Sequence, residues 1–285
     1  MIKDKYNKKT IFSCEVFPPK RNDDIYDIFK TLDEIKLLNP DFISVTYGAG
    51  GSNSKKTATI AAYIQNICEI EALAHVTAVG LDENSLTELL SELKRKQVQN
   101  VLALRGDKPR TMTEEEFEGR YYKHASDLIK VIKDKSDDMY IAAACYPEIH
   151  PESKSREDDI KYLKLKADYG VDSFITQMFF DNDILYRFLE DIRSAGINVP
   201  VHAGIMPITK VNQLGTSVSL SGSSVPKKLS NLIAKYSEDP EGMKKAGTEY
   251  AIDQVTDLIA HGVEGIHIYS MNKSDVTSEI YKAAF

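Results

Sequence analysis

The residues able to do chemistry fall in three short stretches: FSCEVFPP (12–19), LRGD (104–107) and YPEIHPE (146–152). Each follows or closes an apolar run and ends in charge, proline or both. Glu15 lies inside the first. A carboxyl among apolar residues is costly unless it is paired or neutral. Burial raises its pKa, which suits a general acid near neutral pH; an ion pair with a lysine across the fold is the alternative. Asp107 closes the second stretch behind Arg105 and Gly106. Gly106 lets the backbone approach a ligand closely, and Arg105 can pair with Asp107 or with a phosphate. A structural salt bridge accounts for the same residues. The third stretch leads into His150, Glu152, Lys154 and Arg156, with Lys164 and Lys166 in the helical pattern that follows. A helix N-terminus surrounded by cations can hold a diphosphate, and a solvated charge run has the same composition.

Single residues add to this. His75 and Thr77 are one strand period apart, on one side of a strand. His75 and His150 have no HExxH or second paired ligand set beside them, so no metal is expected. Gln177 is an amide within FITQMFF, where it needs partners that a ligand with donors and acceptors would supply. GAGGS (48–52) is not a dinucleotide fingerprint; it reads as a flexible loop admitting a planar ligand.

Eight apolar runs position these residues, at about 10–17, 41–47, 72–79, 100–104, 139–146, 172–180, 199–206 and 264–270. They are short, rich in β-branched or aromatic side chains and nearly continuous in hydrophobicity, as strands buried on both faces are. Helical spacing separates them. Ile25, Ile28, Phe29, Leu32 and Ile35 mark one helix, with Asn22 and Asp23 as candidate caps. Ile184, Leu185, Phe188, Leu189 and Ile192 mark a second, and Met243 to Ile259 a third. The alternation predicts an α/β fold, a single (β/α)8 TIM barrel over residues 1–285, whose strand-end loops build the active site. An open doubly wound sheet would carry glycines after strand one, where Pro18 and Pro19 stand instead. The Ser/Gly-rich stretch within 209–240 should contain a loop or a mobile helix start; it reads as a long loop after strand seven, or as a mobile cover over a ligand.

Composition sets bounds. Of 285 residues, 42% are hydrophobic and 28% charged; 36 Lys and Arg against 43 Asp and Glu give a net charge of −7. That balance argues against a general nucleic-acid or acidic-membrane binder, while leaving room for an anionic small ligand. No apolar stretch approaches the ~20 residues of a membrane span, and the basic N-terminus lacks a secretory apolar region. Cys14, Cys68 and Cys145 share no CxxC spacing, so a cytoplasmic protein without disulfides is expected. A homo-oligomer is also expected.

Taken together, FSCEVFPPK, DFISVTYGAGG, LAHVTAVG, VLALRGDKP, YPEIHPESKS, DSFITQMFFD and GIHIYSMNK resemble the short bacterial form of the methylenetetrahydrofolate reductase family. They stand in the family's order from about residue 11 to 275. The resemblance implies a (β/α)8 barrel that binds FAD without a Rossmann domain and takes electrons from NADH or NADPH. It implies reduction of 5,10-methylenetetrahydrofolate to 5-methyltetrahydrofolate by ping-pong hydride transfer. By the same resemblance Glu15 is the general acid, and Asp107 the carboxylate near flavin and pterin. Thr46, His75, Arg105, Gly106, Asp107, Ala125, Tyr146, His150, Asp159 and Lys166 would hold FAD. His124 stands where the pattern often has tyrosine, and Tyr162 and Leu165 are altered contact positions. Gln177, Gln213, Tyr269 and Lys273 would contact the folate substrate. Lys273 replaces a common arginine, and Ser217 falls where the pattern can place a phenylalanine. The regulatory domain of longer relatives is not expected. A flavin barrel oxidising a small amine such as proline, or a non-catalytic flavin- or folate-binding subunit, are the other expectations; a metal-dependent hydrolase is a more distant one.

Overall fold

A computed structural model describes residues 1–6, 10–19, 25–47 and 54–285. Eight parallel strands close into a barrel in sequence order. They are β1 (Ile11–Val16), β2 (Phe42–Val45), β3 (Glu71–Thr77), β4 (Asn100–Leu104), β5 (Tyr140–Cys145), β6 (Ser173–Thr176), β7 (Val201–Ile205) and β8 (Gly265–Tyr269). Each of the eight expected runs matches one, β3 starting a residue early, so the (β/α)8 expectation holds and the open sheet does not. Strand six is shorter than its apolar run: Gln177 lies just past its end.

Alternation along each strand explains both layers of core. In β1, Cys14 and Val16 face the outer layer and pack with helix residues such as Leu32 and Ile280. Ile11 faces inward, in a second cluster with Phe42, Leu73, Leu102, Tyr140 and Ile175. Glu15 shares Ile11's parity and therefore points into the barrel.

The outer ring begins with α1 (Ile25–Lys36), which buries Ile28, Leu32 and Ile35; its candidate caps Asn22 and Asp23 lie outside the described residues, as does GAGGS. After α2 (Ser54–Tyr63) comes α3 (Glu83–Arg95). Asp82 caps α3 by accepting from Ser85 N, and Gln97, at φ 62°, ends it. There Val98 N donates to Leu93 O and Gln97 N to Lys94 O, both at 3.0 Å, a Schellman motif. The ring continues through α4 (Glu114–Gly119), α5 (Ala125–Lys135), α6 (Arg156–Asp168) and α7 (Asn182–Ser194).

Residues 209–240 are more helical than the long-loop reading of them. They hold α8 (Val211–Ser221), α9 (Lys227–Lys235) and the start of α10 (Pro240–Ala260). The serines that read as loop formers turn their hydroxyls onto their own helix: Ser221 Oγ donates to Ser217 O at 2.8 Å. Leu214, Val218 and Leu229 supply the apolar contacts, packing with Phe180, Ile208 and Met243. The last helix is α11 (Ser274–Ala284).

The segment before β1 closes the N-terminal end of the barrel. Ile2 is fully buried. Tyr6 Oη lies 2.8 Å from Tyr140 Oη and 2.6 Å from His202 Nε2. Tyr140 donates to Ser173 Oγ at 2.6 Å, and Ser13 Oγ lies 2.8 Å from His267 Nδ1. Hydrogen bonding makes this buried polar layer tolerable.

Candidate functional site

At the C-terminal mouth of the barrel lies a cavity of about 580 Å³, within the roughly 300–1,000 Å³ of small-molecule sites. Every residue expected on the cofactor side except Leu165 lines it, together with Glu15, Gln177 and Tyr269.

Glu15 sits between Ser44 of β2 and Tyr269 of β8 in the parallel register. Its partner is His75, not a lysine, with Oε2 and Nε2 3.4 Å apart. That spacing suits an ion pair, yet burial drives both groups toward neutrality. The Glu15 carboxyl is pushed up to about 8 and the His75 imidazole down to about 3. At pH 7 a protonated acid therefore faces a neutral imidazole, and His75 Nε2 makes no hydrogen bond. Tyr269 crosses the mouth beside them, its hydroxyl donating to Thr176 O at 2.6 Å. Gly204 permits this crossing, because a Cβ there would meet Tyr269 Oη at 2.7 Å.

The loop after β4 carries Arg105, Gly106 and Asp107. Gly106 has φ 83°, and a Cβ on it would stand 3.0 Å from Thr77 Cβ; glycine here serves the left-handed backbone and the close approach to β3. Arg105 is ion-paired to Glu152 on the loop after β5, rather than to Asp107. Asp107 is exposed to the cavity.

The loop after β5 brings Tyr146 and His150 together, ring centroids 4.5 Å apart and edge to face. Asp159, buried on α6, accepts from His150 N at 3.3 Å and Ser153 Oγ at 3.1 Å. Lys166, also on α6, donates to Ala144 O at 2.8 Å, and burial lowers its pKa. The amino end of α6 is already occupied: Ser155 caps it, and Glu157, Asp158 and Asp159 fill its first turn. Arg156 pairs with Asp191 and Lys164 with Asp168. The anion-binding potential of this segment thus rests on Lys166, with Arg105 across the cavity, and not on the helix terminus. His124 and Tyr162 form an aromatic edge with centroids 6.1 Å apart. Leu165 is not among the lining residues.

Gln177 lines the mouth, with Oε1 accepting from Met178 N at 2.9 Å. Gln213 and Lys273 do not line the cavity. They converge beside it on Thr209: Thr209 N donates to Gln213 Oε1 at 3.1 Å, and Lys273 Nζ donates to Thr209 Oγ1 at 3.0 Å. Ser217, buried on α8, also lies outside the lining.

Sequence reasoning missed Thr176, Met178 and Met206, which line the cavity, and Ser270 and Asn272, which bond to β1. Only the YSMNK motif after strand eight pointed toward the last two. Among the described residues no cluster of three or more His, Cys, Asp or Glu could hold a metal ion. No described helix is long and apolar enough to cross a membrane.

A family model described as methylenetetrahydrofolate reductase matches residues 1–284. The 5,10-methylenetetrahydrofolate reductase of Buchnera aphidicola is 36% identical over 277 residues, covering 96% of this chain and 91% of that one. The Escherichia coli protein of the same name is 31% identical over 268 residues, covering 94% and 88%. Methylenetetrahydrofolate reductase (NADH) 1 of Arabidopsis thaliana is 34% identical over 275 residues, 93% of this chain, but this chain spans only 46% of its length. Among solved structures, an uncharacterized protein from Clostridium thermocellum, described as binding two copies of 5-methyl-5,6,7,8-tetrahydrofolic acid, shares the fold. Its TM-score is 0.69 at 16% identity, covering 99% of this chain and 97% of that one. Matched across nearly its whole length by the family model, and to most of the bacterial relatives, this chain belongs to the methylenetetrahydrofolate reductase family.

Proposed function

We propose that this protein reduces 5,10-methylenetetrahydrofolate to 5-methyltetrahydrofolate with electrons from NADH or NADPH, through FAD held in the barrel mouth. One observation carries the reading: a carboxyl, Glu15, on the wall of the cavity and 3.4 Å from His75, where burial pushes its pKa up. Ring opening of the substrate needs a proton on the departing N10. An acid titrating at about 8 holds that proton at pH 7 and can release it to a basic nitrogen. The folate product named for the Clostridium thermocellum protein of the same fold supports the substrate class.

The residues fit a flavin dinucleotide. His75 Nε2 is a buried polar atom in want of a partner, and Arg105 and Lys166 are cations in the cavity lining. Arg105, Lys166 and the loop of Tyr146 and His150 would hold the diphosphate and ribose side, with Asp159 fixing that loop. Thr46, His75, Gly106, His124 and Ala125 complete the cradle. When bound, the flavin accepts hydride from the nicotinamide and delivers it to the folate. Asp107 places a negative charge where it favours the ring-opened iminium cation of the substrate and orients the pterin. Gln177 and Tyr269 offer amide and hydroxyl groups to whichever substrate occupies the mouth. Gln213 and Lys273, beside Thr209, would meet the glutamate end of the folate, Lys273 as a point charge. One mouth serving both substrates implies ping-pong kinetics.

The test is anaerobic. NADH and NADPH are mixed separately with the FAD-loaded protein, and bleaching at the flavin band is followed. Methylenetetrahydrofolate is then added. Bleaching by either nucleotide and recovery with the folate are expected. Protein that bleaches but never passes electrons to methylenetetrahydrofolate overturns the reading.

A further inference from the structure

Ser270 and Asn272, on the turn after β8, hold the backbone of Glu15 and of Phe17. The β1–β8 register runs as far as Glu15 opposite Tyr269. Beyond that point side chains continue it. Ser270 Oγ donates to the Glu15 carbonyl at 2.5 Å and accepts from Asn272 N at 3.1 Å. The Asn272 amide then binds Phe17 twice: Phe17 N donates to Oδ1 and Nδ2 donates to Phe17 O, both at 3.0 Å. A side-chain amide thereby stands in for the next strand residue. Pro18 and Pro19 carry no N–H, so Phe17's is the last backbone donor that can tie down this end of β1 before Lys20.

The turn itself is built against its own preferences. Lys273 N donates to Ser270 O at 2.9 Å, closing a four-residue turn. Its central residues, Met271 and Asn272, have φ of 52° and 55°, the sign of a type I′ turn. Asparagine tolerates that region, but methionine suffers the Cβ clash with its carbonyl. A left-handed pair without glycine persists where surrounding bonds over-determine it; here Lys273 N and Asn272 N close the turn on Ser270, while Ser270 Oγ and the Asn272 amide tie it to Glu15 and Phe17.

We propose that Asn272, acting with Ser270, is a positioning residue for Glu15. The two side chains anchor the backbone at Glu15 and at Phe17 and so set where its carboxyl meets the departing nitrogen of the substrate. This rests on the assignment of Glu15 as the acid. Displacements of about 1 Å can cost roughly 100-fold in rate, so loss of two anchoring bonds is enough to be read kinetically.

The experiment compares Asn272→Ala and Asn272→Gly, the latter accepting the left-handed backbone without clash, so that the turn survives. Each half-reaction is followed by stopped flow in the FAD-loaded protein. Oxidation of the reduced protein by methylenetetrahydrofolate should slow roughly 10- to 100-fold in both variants, with reduction by NADH or NADPH unchanged. The alkaline limit of the folate step should also move, because a displaced carboxyl is hydrated differently. The same substitutions are then made on Glu15→Gln, where they should cost nothing further. If Glu15→Gln alone leaves the folate step intact, the acid assignment falls and the proposal with it. If Glu15→Gln leaves only a slow residual rate of that step, as expected, equal slowing of both half-reactions in Asn272→Gly, or an unmoved alkaline limit, overturns the positioning role alone.

Discussion

Replacing Glu15 with glutamine should make the protein less sensitive to alkali, because the native carboxyl is held protonated against its own preference. In the fold it titrates at about 8, against an ordinary 4.5, with burial as the cause. The sign follows from which state binds the proton. Below pH 4.5 both folded and unfolded chains carry it and nothing is lost. Between 4.5 and 8 the unfolded chain releases it while the fold keeps it, so stability falls as pH rises through that window. The slope is about 1.4 kcal/mol per pH unit. From pH 5 to 8 this would amount to roughly 4 kcal/mol. The side chain remains 19% exposed to the cavity, so solvation of the anion reduces the effect, and ~3 kcal/mol is the working figure. Glutamine has nearly the same shape and no proton to lose. The assay is urea unfolding of flavin-free protein at pH 5 and pH 8, parent beside variant. The variant's advantage should grow by ~3 kcal/mol between the two pH values. Parallel behaviour within about 1 kcal/mol would mean that Glu15 ionises normally in the fold, and the acid reading would lose its physical basis. In FAD-loaded protein the folate step should decline as pH passes about 8 in the parent, while reduction by the nicotinamide donor, NADH or NADPH, persists in the variant.

Three further outcomes follow from the same structure. Asp107→Asn should raise the flavin potential, since removing a negative charge eases formation of the reduced anion; ~30 mV corresponds to about 1.4 kcal/mol for two electrons, and an unchanged potential in a dye titration removes the electrostatic role. Gly247→Ala should destabilise by roughly 3 kcal/mol in thermal or urea unfolding, although alanine is the better helix former, because its Cβ would stand 1.8 Å from Ile208 O; a neutral result would show that α10 can slide off the strand-seven loop. Gln97→Gly should stabilise by ~0.5–1 kcal/mol, because Gln97 is exposed and holds φ 62° at the end of α3, and a lower melting temperature would contradict the Schellman assignment.

The strands were legible because a barrel strand is buried on both faces, and β-branched runs such as DFISVTY and EGIHIYS show it directly. Helices with one apolar stripe, like α1 and α7, were equally visible. The stretch 209–240 was not. Its serines look like loop formers until their hydroxyls find carbonyls one turn back and Leu214, Val218 and Leu229 find a cluster to pack on. Ion pairs were the least legible. Arg105 stands two residues from Asp107 and 47 from Glu152, and chain separation carries no information about which carboxylate the folded loops bring to it.

Chemistry in this protein was written into residue types at strand ends. A carboxylate inside an apolar run, a glycine behind an arginine and an amide within a hydrophobic run are local facts; the face on which Glu15 stands follows from its parity with Ile11, which the closed barrel turns inward. Tertiary structure alone decided what those groups are in chemical terms. Closure of the barrel set Glu15 against His75 instead of a lysine, and the same burial that raised one lowered the other. It put the left-handed turn of Met271 and Asn272 against β1, where a side-chain amide completes a ladder that the backbone could not. A pKa and a position depend on dielectric surroundings and on partners brought from the far end of the chain, and those exist only once the eight strands have closed.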